Sequence, residues 1–132
     1  MAKIPLALRL KKQIQRSTAE AQDLIVKALY EAFPDAVLHG GTSIWRCYNG
    51  NRFSEDVDAY IQKDQNKISR VFENIRKRGF VIHKTKISER SIFSSFEINR
   101  TIVRFEALFK NPLPKGILKD YEAADGNFIT VN

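Results

Sequence analysis

Asp56 and Asp58 stand one residue apart in the run Asp56-Val57-Asp58-Ala59-Tyr60-Ile61, whose alternation predicts a β-strand over 56–61. On a strand, residues two apart point to the same face, so the two carboxylates lie side by side. Like charges so placed repel unless something neutralises them, and a divalent cation does this naturally. Magnesium prefers hard oxygen ligands, so an Asp-x-Asp pair at a strand start suits one or two such ions held against a nucleotide's phosphates. For a lone pair of this kind, two solvated carboxylates at a strand edge are the commoner outcome.

Two further segments bear on that choice. Gly40-Gly41 follows a short apolar run and precedes Thr42 and Ser43. Glycine permits close backbone approach, and a helix N-terminus offers free N–H groups and a favourable dipole to an anion. A Thr42 or Ser43 hydroxyl adds a donor for a phosphate oxygen. A plain tight turn explains the glycines equally well, and no Gly-Lys-Ser or Gly-Lys-Thr phosphate loop occurs in the chain. Within Thr101–Leu108, Arg104 and Glu106 share one strand face while Val103, Phe105 and Ala107 share the other. Glu106 on a neighbouring strand would complete a three-carboxylate metal site; the simpler alternative is a cross-strand ion pair between Arg104 and Glu97.

The elements that must position these residues are legible in outline. Ser17 or Thr18 is placed to cap a helix with Glu20 nearby, and Leu24, Ile25, Ala28, Leu29, Ala32 and Phe33 form its apolar face up to Pro34. The stretch around Leu6, Leu8 and Leu10 reads as a further helical turn. A strand over 36–39 stops at the glycines, and Thr42 or Ser43 caps a short helix through Cys47. Tyr48-Asn49-Gly50-Asn51 is turn chemistry. A helix over 66–78 buries Ile68, Val71, Phe72 and Ile75 and ends at Gly79. Strands follow over 80–85, 91–98 and 101–108, with Asn99-Arg100 joining the last two as a hairpin. Pro112 and Pro114 break regular structure, and 128–131 is a short final strand. This order gives an α+β fold, a mixed sheet with helices packed on it, in one domain over 1–132.

Composition narrows the function classes. The chain has 132 residues, 43% hydrophobic and 28% charged, with a net charge of +7. That is ordinary globular composition for a single domain. The only cysteine, Cys47, excludes an internal disulfide and fits a reduced, cytoplasmic setting. No apolar run approaches the roughly 20 residues that cross a bilayer. His39 and His83 lie far apart, which argues against zinc, and Cys47 and Trp45 read as packed side chains, Trp45 as a core anchor. Arg70, Arg76, Lys77, Arg78, Lys84, Lys86 and Arg90 form a basic cluster, read either as a solvated face or as an RNA or tRNA acceptor surface.

Taken together, Gly40-Gly41-Thr42-Ser43, a short helix and Arg52-Phe53-Ser54-Glu55-Asp56-Val57-Asp58 resemble the DNA polymerase beta-like nucleotidyltransferase superfamily. More narrowly they resemble the AbiEii/AbiGii toxin family, with Val103-Arg104-Phe105-Glu106 similar to its later acidic strand. The resemblance spans about Val37 to Leu108. It implies a nucleotidyltransferase-like mixed sheet and magnesium-dependent, two-metal transfer of a nucleoside monophosphate from an NTP to RNA, a protein or a small molecule. Asp56, Asp58 and Glu106 would then be the catalytic metal ligands. Gly40, Gly41, Thr42 and Ser43 would hold the triphosphate, Arg52 would screen it, and Ser54 would donate to a phosphate or to the backbone. A toxin–antitoxin role with an antitoxin partner follows from the same resemblance. Family members usually continue into a basic helical region, and this chain stops about where that would begin. The expectation is a minimal core or an incomplete chain, with a catalytically silent nucleotide-, nucleic-acid- or partner-binding domain as the alternative.

Overall fold

The computed structural model describes residues 13–48 and 55–132. Helix α1 (Gln13–Ala32) leads into β1 (Val37–His39), α2 (Gly40–Cys47), β2 (Val57–Ile61) and α3 (Gln65–Lys77). Then come β3 (Val81–Ile87), β4 (Ser91–Ile98), β5 (Thr101–Phe109), β6 (Lys119–Glu122) and β7 (Phe128–Val131). Five strands make one sheet in the order β1-β2-β5-β4-β3, and β6 and β7 form a separate pair. Strand β2 runs antiparallel to β1 and parallel to β5; β5–β4 and β4–β3 are antiparallel. The mixed sheet carrying helices is the α+β architecture expected of the sequence. Among the described residues, no helix is long and apolar enough to cross a membrane.

Period-two patterning decides which face the helices cover. Val57, Ala59 and Ile61 of β2, Val103, Phe105 and Ala107 of β5 and Ile92 and Phe96 of β4 are buried. They pack against Ile25, Ala28 and Leu29 of α1 and Ile68, Val71 and Ile75 of α3 in one core. Asp64 caps α3 by accepting from the backbone N–H of Asn66 and Lys67, each at 3.1 Å. Gly79 follows that helix at φ +95°, a conformation that favours glycine. Asn99 and Arg100, at φ +48° and +65°, make the two-residue turn of the β4–β5 hairpin.

Several sequence expectations are corrected. Ser17 and Thr18 lie inside α1 rather than at its cap. Helix α2 begins at Gly40, so neither Thr42 nor Ser43 caps it. Strand β6 is additional to the sequence reading; its residues Lys119-Asp120-Tyr121-Glu122 show no apolar alternation. Leu6, Leu8 and Leu10, the 49–51 turn and the Trp45 side chain lie outside the described residues.

The buried side of the molecule holds a polar network. Arg46 of α2 is 0% exposed. It donates to Asp23 Oδ1 at 2.7 Å, Glu122 O at 2.8 Å, Ala19 O at 2.9 Å and Gln22 Oε1 at 3.1 Å. Its guanidinium carbon lies 4.9 Å from the centre of the Tyr121 ring. Tyr121 also donates to Asp23 Oδ1, at 3.0 Å, and Ala124 N–H to Asp23 Oδ2, at 2.8 Å. One residue on each of α1, α2 and β6 is thereby pinned to the others. Asp23→Ala leaves the Arg46 charge buried without its counter-ion and is expected to cost about 3–5 kcal/mol. Tyr121→Phe, which removes one hydrogen bond, is expected to cost about 1 kcal/mol. Urea unfolding of the two variants measures the difference.

Candidate active site

The sheet face opposite the helices carries the chemistry. Because Val57 and Ala59 point into the core, Asp58 points away from it. Because Phe105 and Ala107 do the same on β5, Glu106 shares that outer face. Asp58 and Glu106 are register partners in the parallel β2–β5 ladder. The register continues on both sides: His39 pairs with Asp58 across β1–β2, Phe93 with Glu106 across β4–β5, and Lys86 with Phe93 across β3–β4. A single rung, His39–Asp58–Glu106–Phe93–Lys86, therefore crosses all five strands.

Asp56 lies two residues before Asp58 and is held by Arg104, whose Nε donates to Oδ1 at 3.0 Å and Nη2 to Oδ2 at 3.4 Å. The alternative expectation, an Arg104–Glu97 pair, is corrected. Glu97 instead meets His83 at 2.6 Å, and Arg104 sits opposite Ser95 on β4. Burial pushes the Asp58 carboxyl above its ordinary range; the His39 ring opposes this, Asp56 and Glu106 reinforce it, and Arg104 opposes it. His39 stacks on Tyr60 with ring centres 4.1 Å apart.

The glycine turn meets this cluster directly. Gly40 follows β1 at φ +78°, and a Cβ there would lie 2.8 Å from Asp58 Oδ2. The absent side chain is thus the space that the Asp58 carboxylate uses. Thr42 is buried, and its hydroxyl donates to the Asp56 carbonyl oxygen in a short hydrogen bond. Gln22 Nε2 lies 3.4 Å from both Thr42 Oγ1 and that carbonyl. Thr42 therefore ties α2 to the start of β2, a task its sequence position did not suggest. Gly41 is exposed. Ser43 is half-buried and lines a different pocket with Cys47, Tyr48, Lys115 and Lys119. Arg52 and Ser54 lie outside the described residues.

The donor chemistry fits magnesium: Asp58 and Glu106 present carboxylates from adjacent strands, and Asp56 shares their face. No three His, Cys, Asp or Glu side chains among the described residues converge closely enough to hold a metal. A groove lined by Ser17, Thr18, Glu55, Asn99, Arg100, Thr101 and Ile102 opens between α1 and the β4–β5 turn. The basic cluster is divided: Arg70, Arg76, Lys77 and Arg78 belong to α3 and its end, on the helix side, whereas Lys86 stands on the acid rung.

Two outcomes test this geometry. The raised Asp58 pKa means the folded chain binds more protons than the unfolded one between the ordinary value and the raised one, so stability falls as pH rises through that window. Asp58→Asn is accordingly expected to raise the melting temperature at pH 7, as thermal unfolding of the two chains would measure. The gain should vanish below the ordinary aspartate range. Gly40→Ala, with both a left-handed backbone and a carboxylate in the way, is expected to cost about 1–3 kcal/mol in urea unfolding.

A family model for the nucleotidyl transferase AbiEii toxin of type IV toxin–antitoxin systems matches residues 24–119. No curated protein matches the sequence. Among solved structures, JHP933 from Helicobacter pylori superposes with a TM-score of 0.52 at 23% identity, covering 83% of this chain and 51% of that one. A candidate nucleotidyltransferase from H. pylori superposes with a TM-score of 0.54 at 21% identity, covering 86% of this chain and 53% of that one. The chain therefore spans about half the length of the solved structures it matches, and at these identities they speak for the fold. With the matched span running from α1 to the start of β6 and enclosing the glycine turn, both aspartates and Glu106, the chain belongs to the nucleotidyl transferase AbiEii toxin family.

Proposed function

We propose that this domain transfers a nucleoside monophosphate from an NTP to an acceptor hydroxyl, with Asp56, Asp58 and Glu106 as the acidic centre. The observation that carries the reading is the register: Asp58 and Glu106 are paired on adjacent parallel strands, with Gly40 packed against the Asp58 carboxylate. Magnesium, when bound, supplies charge neutralisation and alignment of the phosphates at these carboxylates. Phosphoryl-type displacement needs positioning and electrostatics more than covalent help, and this site offers those. Gly40 leaves the Asp58 carboxylate the position that a side chain there would take, and the backbone at Gly40 and Gly41 would hold the triphosphate beside it. Thr42 and Gln22 fix the Asp56 carbonyl and so the start of β2. Glu106, exposed on the outer face, is placed to orient the acceptor hydroxyl and take its proton as the oxygen attacks the α-phosphorus and pyrophosphate leaves. The groove that includes Glu55, with Arg100 and three hydroxyl-bearing side chains, suits a polar acceptor such as RNA, a protein hydroxyl or a small molecule. Family membership supports a toxin role and a cognate antitoxin in the same system.

The pairing of Asp56 with Arg104 favours a second reading, a catalytically silent domain that binds nucleotide or a partner. Incubation with each of the four α-labelled NTPs, magnesium and total RNA or protein separates the two. Transfer of label is expected, with Asp58→Ala and Glu106→Ala each lowering it by on the order of 10³-fold, as loss of a main electrostatic group does. Magnesium-dependent triphosphate binding with no label transferred to any acceptor would instead establish the silent domain.

A further inference from the structure

Arg104 places a positive charge inside the acid cluster, and its hold on Asp56 is of an exchangeable kind. The two-point contact is the geometry a guanidinium makes with a carboxylate, and it fits a phosphate equally well. Both partners face solvent, with side chains 61% and 39% exposed, so the pair is held weakly by comparison with the buried Arg46–Asp23 contact. A divalent ion offers Asp56 twice the charge of the guanidinium. In this arrangement, with Asp56 paired to Arg104, three metal donors do not converge among the described residues. Arg104 also shares its strand face with Glu106, two residues on, so a released guanidinium remains beside the carboxylates.

We propose that Arg104 is the exchangeable counter-ion of this site. It holds Asp56 before substrate arrives, yields it to a divalent ion, and turns to a phosphate of the incoming triphosphate. The inference rests on the nucleotidyl-transfer reading and adds to it the order of events at the acidic centre. It also accounts for the two-point contact: an ammonium would serve Asp56 as a point charge but would lose the matched fit to both carboxylate and phosphate.

The consequence is a pair of effects with opposite signs. Removing Arg104 frees Asp56 and strengthens binding of a bare cation, yet weakens binding of a triphosphate. A residue that merely stiffened β5 would shift both in one direction or neither. The test titrates Mn2+ alone, followed by magnetic resonance of the free ion, and then inorganic tripolyphosphate in the presence of Mn2+, followed by calorimetry. The whole chain is compared with Arg104→Met, Arg104→Lys and Asp58→Asn, each checked by thermal melting. Arg104→Met is expected to bind Mn2+ about fivefold tighter and tripolyphosphate about tenfold weaker, on the scale of one exposed ion pair and one charge-assisted contact. Arg104→Lys should fall between it and the parent, and Asp58→Asn should lose the Mn2+ site. Unchanged or weaker Mn2+ binding by Arg104→Met, with Asp58→Asn still defective, overturns the counter-ion role and leaves the transfer reading standing. Mn2+ binding that is absent throughout, or insensitive to Asp58→Asn, overturns both.

Discussion

Arg46 has no contact with solvent, and a buried guanidinium is tolerable only when its charge and most of its donors are met by the surrounding fold; here both Nη groups are met and Nε has no hydrogen-bond partner. Meeting them fixes the arrangement of three elements. Asp23 and the Ala19 carbonyl come from α1, the Glu122 carbonyl from β6, and the arginine itself from α2. Gln22 belongs to the same cluster through its carbonyl oxygen, while its amide nitrogen lies near Thr42 Oγ1 and the Asp56 carbonyl. A polar path thus runs from the β6–β7 pair, through the helix layer, to the backbone atom at which the acidic strand begins. Burial raises the Asp23 pKa even though Arg46 opposes it, which shows how strongly desolvation weighs on the pair. Its contribution is specificity of placement more than net stability.

On the other face of the sheet the balance is reversed. The carboxylates of Asp56, Asp58 and Glu106 repel one another, and of the three only Asp56 is in an ion pair among the described residues. An enzyme site that stores repulsion in the absence of substrate gains from the substrate's arrival, because a cation and its phosphates remove that repulsion. The helix-side network supplies the rigidity that keeps the strands from relaxing it. Fixed placement is thereby concentrated on one side of the sheet and electrostatic repulsion on the other.

How much of this the sequence disclosed depends on how local each signal is. The strands bearing Asp56, Asp58 and Glu106, the β4–β5 hairpin, helix α3 and the glycine turn follow from short-range alternation, helical periodicity and turn residues. The side of the sheet on which Arg104 acts does not. From chain order its natural neighbour is β4, reached through a two-residue turn, which led to Glu97; its actual partner lies on the parallel neighbour β2. Thr42 looked like a helix cap because hydroxyl residues favour caps, but Gly40 already starts the helix and the hydroxyl is spent on Asp56. Nothing in Trp45-Arg46-Cys47 announces a buried network whose partners lie 23 and 76 positions away. Strand β6 escaped because it is polar along its length and gains its place by the burial of Tyr121 and Glu122 against α2.

The parallel pairing of β2 with β5 also sets the order in which the site can come into being. Strands β3, β4 and β5 are consecutive hairpin neighbours, and their pairing requires only short loops to close. Asp56 and Arg104, by contrast, are 48 residues apart, and Asp58 meets Glu106 across the same long connection. Contacts of such separation repay their closure entropy late in folding. A nascent chain holding the meander but not yet β2 keeps Glu106 apart from both aspartates, so the acid cluster and its mutual repulsion arise only with the last closure of the central sheet. Partly folded chains of this family member would carry no assembled acidic centre.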